Sequence, residues 1–188
     1  MIQTACKIKV PLEAFIASLP KRASCCIGVC SMEEPKHTAC LTQVSIEISR
    51  AWSLHKQRAS CVITAGNAFE GPQHQDDLPC DTSLRSWSWL GQSDFPTDGY
   101  SGPVARDVSG LTKLKSEHGL ILIELGSVES LTAQFASKLC DGLVLLTSSS
   151  LSTYFCKKIR SRIRLLERPD CRWLGYWCLE SDPRIAQA

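Results

Sequence analysis

Residues 25–52 read CCIGVCSMEEPKHTACLTQVSIEISRAW. The stretch divides into three pieces of different physical character. Cys25–Cys30 is a short apolar run of strand length, Ser31–Cys40 is a polar link, and Leu41, Val44, Ile48 and Trp52 then recur at helical spacing. Strand, link and helix in that order is the layout of a phosphate-binding loop. Such a loop needs glycines, so that backbone N–H groups can curl around the phosphate, and a Gly-Lys-Ser/Thr ending that supplies a cation and a metal-binding hydroxyl. Glu34-Pro35-Lys36-His37-Thr38-Ala39-Cys40 has neither. The frame of a nucleotide site is legible here, and its chemistry is not.

Working outward, four further apolar runs read as strands: Ser60–Thr64, Gly119–Leu125, Gly142–Thr147 and Arg172–Leu179. CVIT, LILIEL and LVLLT are continuous rather than alternating, the pattern of strands buried on both faces of a parallel sheet. Helical stripes lie between them. Leu131, Phe135 and Leu139 form one, and Tyr154 or Phe155 with Ile159, Ile163 and Leu166 form another. Strands alternating with helices imply right-handed crossovers and a three-layer α/β domain with a mostly parallel sheet. The expected organisation is a leading helical segment over 1–20, one domain over 21–180 and a short tail over 181–188.

Composition narrows the class without naming a function. The 188 residues are enough for one sizeable core and short for two. A formal net charge of +2 does not argue for nucleic acid or a membrane surface. The first residues lack an apolar run of signal-peptide length, because Lys7, Lys9, Pro11, Glu13 and Pro20 interrupt them, and no stretch reaches the roughly 18 apolar residues of a membrane span. The expectation is a cytoplasmic protein with reduced thiols, membrane-associated only through a partner. Its 11 cysteines then read as core residues where they fall in apolar runs: Cys25, Cys26, Cys30, Cys61 and Cys178. Zinc is disfavoured, because no C-x-x-C pair occurs and Cys26 and Cys30 on one strand stand about 13 Å apart.

Two regions depart from the alternating pattern. Residues 66–110 carry six glycines and four prolines without a sustained period, and read as a long loop. Within it SWSWL presents Trp87 and Trp89 at spacing two, as a short extra strand or as aromatics covering a sheet edge. The helical stretch after Ser150 holds Lys157, Lys158, Arg160, Arg162, Arg164 and Arg168 against Glu167 alone. A solvated outer helix explains it, and so does a surface for an acidic partner. Nucleic acid fits least, since no aromatic residues interleave the charges on the outer face.

In order, these elements resemble the cytoplasmic domain of bacterial tyrosine kinases, the polysaccharide-biosynthesis branch of the MinD/ParA-type P-loop ATPases. Glu13-Ala14-Phe15 followed by Ile27-Gly28-Val29-Cys30-Ser31 matches that family's leading helix and first strand. Leu122-Ile123-Glu124-Leu125-Gly126-Ser127 stands at its Walker B strand, Asp141-Gly142-Leu143-Val144-Leu145-Leu146 at the following strand, and Leu174-Gly175-Tyr176-Trp177-Cys178-Leu179 at the last. The resemblance covers residues 12–180 and is more specific in the second half.

The resemblance also marks what has changed. Pro35 removes an N–H donor, His37 stands where a glycine allows close approach, Thr38 replaces the lysine and Ala39 the Ser/Thr. Thr64 and Gly66 occupy positions where two aspartates are expected, and only Glu124 keeps a carboxylate, one methylene longer. On the leading helix Glu13, Ile16 and Leu19 stand where the family has Glu-x-x-Arg-x-x-Arg ring contacts, which turns a charged contact into an apolar face. The final residues contain no tyrosine, whereas the kinases end in a tyrosine-rich phosphoacceptor tail.

By resemblance, then, the chain is a catalytically inactive relative retained as an interaction or regulatory module. It takes no cofactor, and its partner is an active ATPase of the family or the cytoplasmic part of a membrane polysaccharide-export protein. The surfaces singled out are the basic residues Lys157, Lys158, Arg160, Arg162 and Arg164 and the apolar leading helix. One alternative is an enzyme with a divergent site, in which Lys36, Thr38 and Glu124 would hold ATP and magnesium. Another is a ParA-like DNA-associated partner, suggested by the basic stretch alone.

Overall fold

The computed structural model describes residues 7–8, 12–19, 22–32, 38–64, 81–86, 107–147, 161, 163–164, 166 and 169–180. In chain order the elements are β1 (Lys7–Ile8), α1 (Leu12–Ser18), β2 (Cys25–Ser31), α2 (Thr38–Lys56), β3 (Ser60–Thr64), β4 (Thr82–Ser86), α3 (Asp107–Glu117), β5 (Leu120–Ser127), α4 (Leu131–Ala136), a 3-10 turn (Ser137–Leu139), β6 (Gly142–Thr147) and β7 (Arg172–Glu180). Ser161, Ile163, Arg164 and Leu166 are helical as well.

The described strands form a seven-stranded sheet in the order β1-β7-β6-β2-β5-β3-β4. Every neighbouring pair is parallel except β1 against β7. The expected three-layer, mostly parallel α/β architecture is therefore the observed one. Its physical basis is visible in β2, β3 and β6, which are buried along their whole lengths. Such strands find apolar cover on both faces only when crossover helices lie above and below.

The two faces carry two cores. On one, Cys26, Cys30, Cys61, Ile121, Ile123 and Leu145 pack under Leu111 and Leu114 of α3, Ala133 and Ala136 of α4, and Ile163 and Leu166. On the other, Ile27, Val29, Val62, Leu120, Leu122 and Val144 pack under α1 and under Leu41, Val44, Ile48 and Trp52 of α2. All four residues of the α2 stripe are buried. The helix ends at Lys56, where Gln57 turns into the left-handed region at φ 50° and its N–H bonds the Ser53 carbonyl at 3.0 Å.

Several elements differ from the sequence expectation. The long irregular stretch contains strand β4 and the start of α3. TSLRS offers one large apolar residue, Leu84, at the edge of the described sheet where little cover is needed, and among the described side chains of α3 Leu111 and Leu114 form the buried stripe. Trp87 and Trp89 lie outside the described residues. The leading segment is not helix alone, since β1 pairs with β7 at Lys7↔Glu180 and Ile8↔Leu179.

The apolar face of α1 is also not free. Ile16 and Leu19 are 2% and 4% exposed, and Phe15 meets Trp177 edge to face at 4.8 Å and 82°. Ile16 and Leu19 are therefore part of this chain's own core. Glu13 on the outer side is 81% exposed and reaches His55 of α2 at 3.8 Å.

The cysteines whose side chains are described behave as core, and the side chain of Cys178 lies outside them. Cys25, Cys26, Cys30, Cys61, Cys140 and Cys171 are buried free thiols, and Cys26 and Cys30 share one face as their spacing requires. Burial pushes the Cys30 thiol up to about 12. The neighbouring Cys26 sulfur, and then burial, raise that of Cys140. Among the described residues no three His, Cys, Asp or Glu side chains converge on a metal position.

Candidate functional site

Side chains alternate across a strand, so residues beyond the last apolar position of each strand continue its faces. Val29, Val62 and Leu122 lie in the core under α2. Two residues on, Ser31, Thr64 and Glu124 fall on that same face, at the carboxyl ends of three adjacent strands. This is the end of a parallel sheet where ligands of such folds bind. All three polar side chains are buried, at 6%, 3% and 2% exposure, and none is without a partner.

The strand register sets their relations. Ile63 pairs with Ile123, so Thr64 stands beside Glu124 one step past the last paired position of β3 and β5. On the other side Glu124 pairs with Val29, and the next pair is Cys30 with Gly126. Leu125 is therefore an extra residue, and the bulge turns the end of β5. Gly126 takes φ +71°, and a side chain added there would meet nothing within 4 Å.

Backbone bonds then close the strand ends. The Val128 N–H donates to the Ser31 carbonyl at 2.8 Å, and the Met32 N–H to Leu146 at 3.0 Å. Ser130 caps α4, accepting from the Ala133 N–H at 3.0 Å while its hydroxyl donates to the Leu125 carbonyl at 3.3 Å.

Of the residues singled out from sequence, the structure brings Thr64 and Glu124 together. Thr38 is the first residue of α2. Pro35, Lys36, His37 and Gly66 lie outside the described residues, as do Lys157, Lys158, Arg160 and Arg162. Arg164 is exposed while Ile163 and Leu166 are buried, so this part of the basic stretch does turn its charge to solvent. Ser31 and Gly126 were not singled out. The period-two pattern of Cys25, Ile27 and Val29 extends to Ser31 and signals its face, whereas nothing local marks the bulge that gives Gly126 its conformation.

Two of the four histidines fall in the described residues, and neither joins this cluster. His118 lies at the opposite, amino end of β5, where Nδ1 is 3.2 Å from the Leu114 carbonyl and Nε2 is 3.0 Å from Ser83 Oγ. It ties α3 to the edge strand. His55 pairs with Glu13.

A magnesium nucleotide fits poorly. Mg²⁺ wants oxygen ligands in octahedral array and keeps several waters. Here one carboxylate, 2% exposed, stands beside two hydroxyls, and the link before α2 has no glycine for a phosphate nest and no Lys-Ser/Thr ending.

No protein-family model matches the sequence, and no curated protein matches it. Solved structures do. The chimerical protein CapA2B2 is similar at TM-score 0.54 and 15% identity, over 89% of this chain and 85% of that one. The BceF tyrosine kinase domain is similar at 0.53 and 13%, over 88% and 74%. A ParA family ATPase from Chlorobium tepidum TLS is similar at 0.52 and 11%, over 80% and 71%. At such identities the likeness is one of fold, and the fold of this chain is the α/β architecture of the ParA-type P-loop ATPases.

Proposed function

We propose that this chain is a catalytically inactive P-loop ATPase-like domain that serves as a protein-interaction or regulatory module in exopolysaccharide synthesis or export. The observation that carries the reading is the pair Thr64 and Glu124. A hydroxyl occupies one strand end, and the neighbouring carboxylate is 2% exposed, whereas metal-assisted phosphoryl transfer needs acids that reach a hydrated ion. The glycine-free link supports the same reading. So does the fold shared with the BceF tyrosine kinase domain. No helix among the described residues is long and apolar enough to cross a membrane, and the partner in this reading is an active ATPase of the same fold or the cytoplasmic part of an export protein.

A thermal-shift titration with ATP and ADP, with and without magnesium, tests the proposal. A ligand that binds only the native state raises stability by RT ln(1 + [L]/Kd). The expected outcome is no shift at millimolar nucleotide for wild type and for Glu124→Gln. A magnesium-dependent rise that Glu124→Gln abolishes would favour the second reading, an ATP-binding enzyme with a divergent loop. That reading draws on the retention of a strand-end carboxylate beside Thr64. Charge reversal at Lys157, Lys158 and Arg160 tests the basic stretch as the contact surface, and undiminished partner retention would remove it.

A further inference from the structure

We infer that Ser83 and His118 form a nucleophile–base pair that hydrolyses small activated carboxylic esters. The pair lies at the amino end of β5, away from Ser31, Thr64 and Glu124, so it goes beyond the reading of this domain as an inactive ATPase relative and does not depend on it.

The pair is built from the end of α3 and the edge of the described sheet. The helix ends at Glu117, and the next main-chain N–H, that of His118, donates to the Leu114 carbonyl at 2.8 Å. Nδ1 of the same residue stands 3.2 Å from that carbonyl. A carbonyl oxygen only accepts, so Nδ1 carries the proton of the neutral ring and Nε2 presents its lone pair. Ser83 Oγ is 3.0 Å from Nε2, which makes the hydroxyl the donor. A serine that donates to an imidazole whose other nitrogen is held by a third group has the arrangement of an activated nucleophile. Both side chains are only partly buried, so neither is shut in the core.

The ladder adds a donor. Ser60 pairs with Thr82, and its N–H donates to the Asp81 carbonyl at 3.0 Å. Alternation along a parallel ladder then turns the Ser83 N–H towards β3 and the Leu84 N–H away from it. The amide after the serine is therefore the one that a carbonyl oxygen under attack meets.

Ser83 Oγ bonds to the ester carbonyl carbon while its proton passes to Nε2. The bond to the leaving oxygen then breaks, and that oxygen takes the proton from Nε2. Water attacks the acyl-serine by the same route, which releases the acid and restores the hydroxyl. Nδ1 rests on a neutral carbonyl, which stabilises an imidazolium less than a carboxylate does. Esters whose leaving group needs little protonation, such as aryl esters, suit the pair best.

The experiment follows p-nitrophenyl acetate hydrolysis by the full chain and by Ser83→Ala, His118→Gln and His55→Gln, with fluorophosphonate labelling located by peptide mass spectrometry. His55, paired with the exposed Glu13, reports hydrolysis by an ordinary surface imidazole, and urea midpoints show which variants fold. The expected result is a rate that falls about 100-fold or more in Ser83→Ala and His118→Gln and is unchanged in His55→Gln. Ser83 should take the label in wild type and lose it in His118→Gln. Hydrolysis that survives Ser83→Ala, or labelling that persists in His118→Gln, overturns the pair. The absence of label on wild-type Ser83 overturns it without any variant, and leaves the hydrogen bond as a tie between α3 and β4.

Discussion

Asp141 and Cys26 are joined in both directions at the amino end of the sheet. The Asp141 Oδ2 accepts from the Cys26 N–H at 2.8 Å, and the Asp141 N–H donates to the Cys26 carbonyl at 2.7 Å. The same carboxylate meets Arg22 at 3.1 Å and Lys115 at 3.8 Å, and the Asp141 carbonyl accepts from the Arg172 N–H at 3.2 Å. One residue before β6 thus fixes where β2, β6 and β7 begin.

This predicts a contrast between two substitutions. Asp141→Ala leaves the Cys26 N–H without its acceptor and should cost about 1–3 kcal/mol in urea denaturation. Asp141→Asn keeps a carbonyl oxygen for that N–H and loses only partly exposed ion pairs, so its loss should stay below about 1 kcal/mol. Equal losses would mean that the ion pairs, not the backbone bond, carry the junction.

Gly28 lies where the sheet is tightest. A Cβ built there stands 2.6 Å from Leu125 Cδ1, 2.6 Å from Leu143 Cδ2 and 3.0 Å from Cys140 Sγ. Gly28→Ala should therefore destabilise the protein by about 1–3 kcal/mol through overpacking. An unchanged urea midpoint would show that those side chains move aside freely.

The contact between Phe15 and Trp177 anchors α1 to the strand beside β1. Phe15 is 5% exposed and Trp177 2%. Phe15→Ala should cost about 3–5 kcal/mol and shift tryptophan emission to the red as Trp177 meets water. Glu13→Gln, which touches only the exposed pair with His55, should change stability by no more than about 0.5 kcal/mol.

The buried thiols predict a base-side loss of stability. Cys30 holds its proton up to about 12, against 9.0 for an ordinary thiol, chiefly because burial disfavours the thiolate. Between those values the unfolded chain releases a proton that the folded chain keeps, so the contribution is full below pH 9.0 and is lost as pH rises towards about 12. The urea midpoint should fall steadily above pH 9, and Cys30→Ala should flatten that fall while lowering the midpoint at neutral pH. In the native state Cys30 should resist alkylation at pH 8, where exposed thiols react.

Much of this architecture was legible in residue order because it follows from local periodicity. Continuous apolar runs can be satisfied only by burial on both faces, which is why β3, β5 and β6 were readable within one or two residues; β2 and β7 showed as apolar runs of strand length, and the i, i+3, i+4 recurrence of Leu41, Val44 and Ile48 marked the buried face of α2. Partnership is a different matter. TSLRS becomes a strand because β3 offers it a ladder, and Lys7–Ile8 becomes one because β7 passes nearby more than 170 positions away in register with it. Ile16 and Leu19 looked like an open apolar face, and only the position of α1 over the sheet shows that the core had already claimed them.

The same division holds at the candidate site. Which residues stand at the candidate site was written in the sequence, since identity at a position needs no coordinates. That Thr64 lies beside Glu124, and that both are shut away from solvent with Ser31, came from strand order and register. Those are set by the packing of distant segments against one another, and no local rule of composition or spacing encodes them.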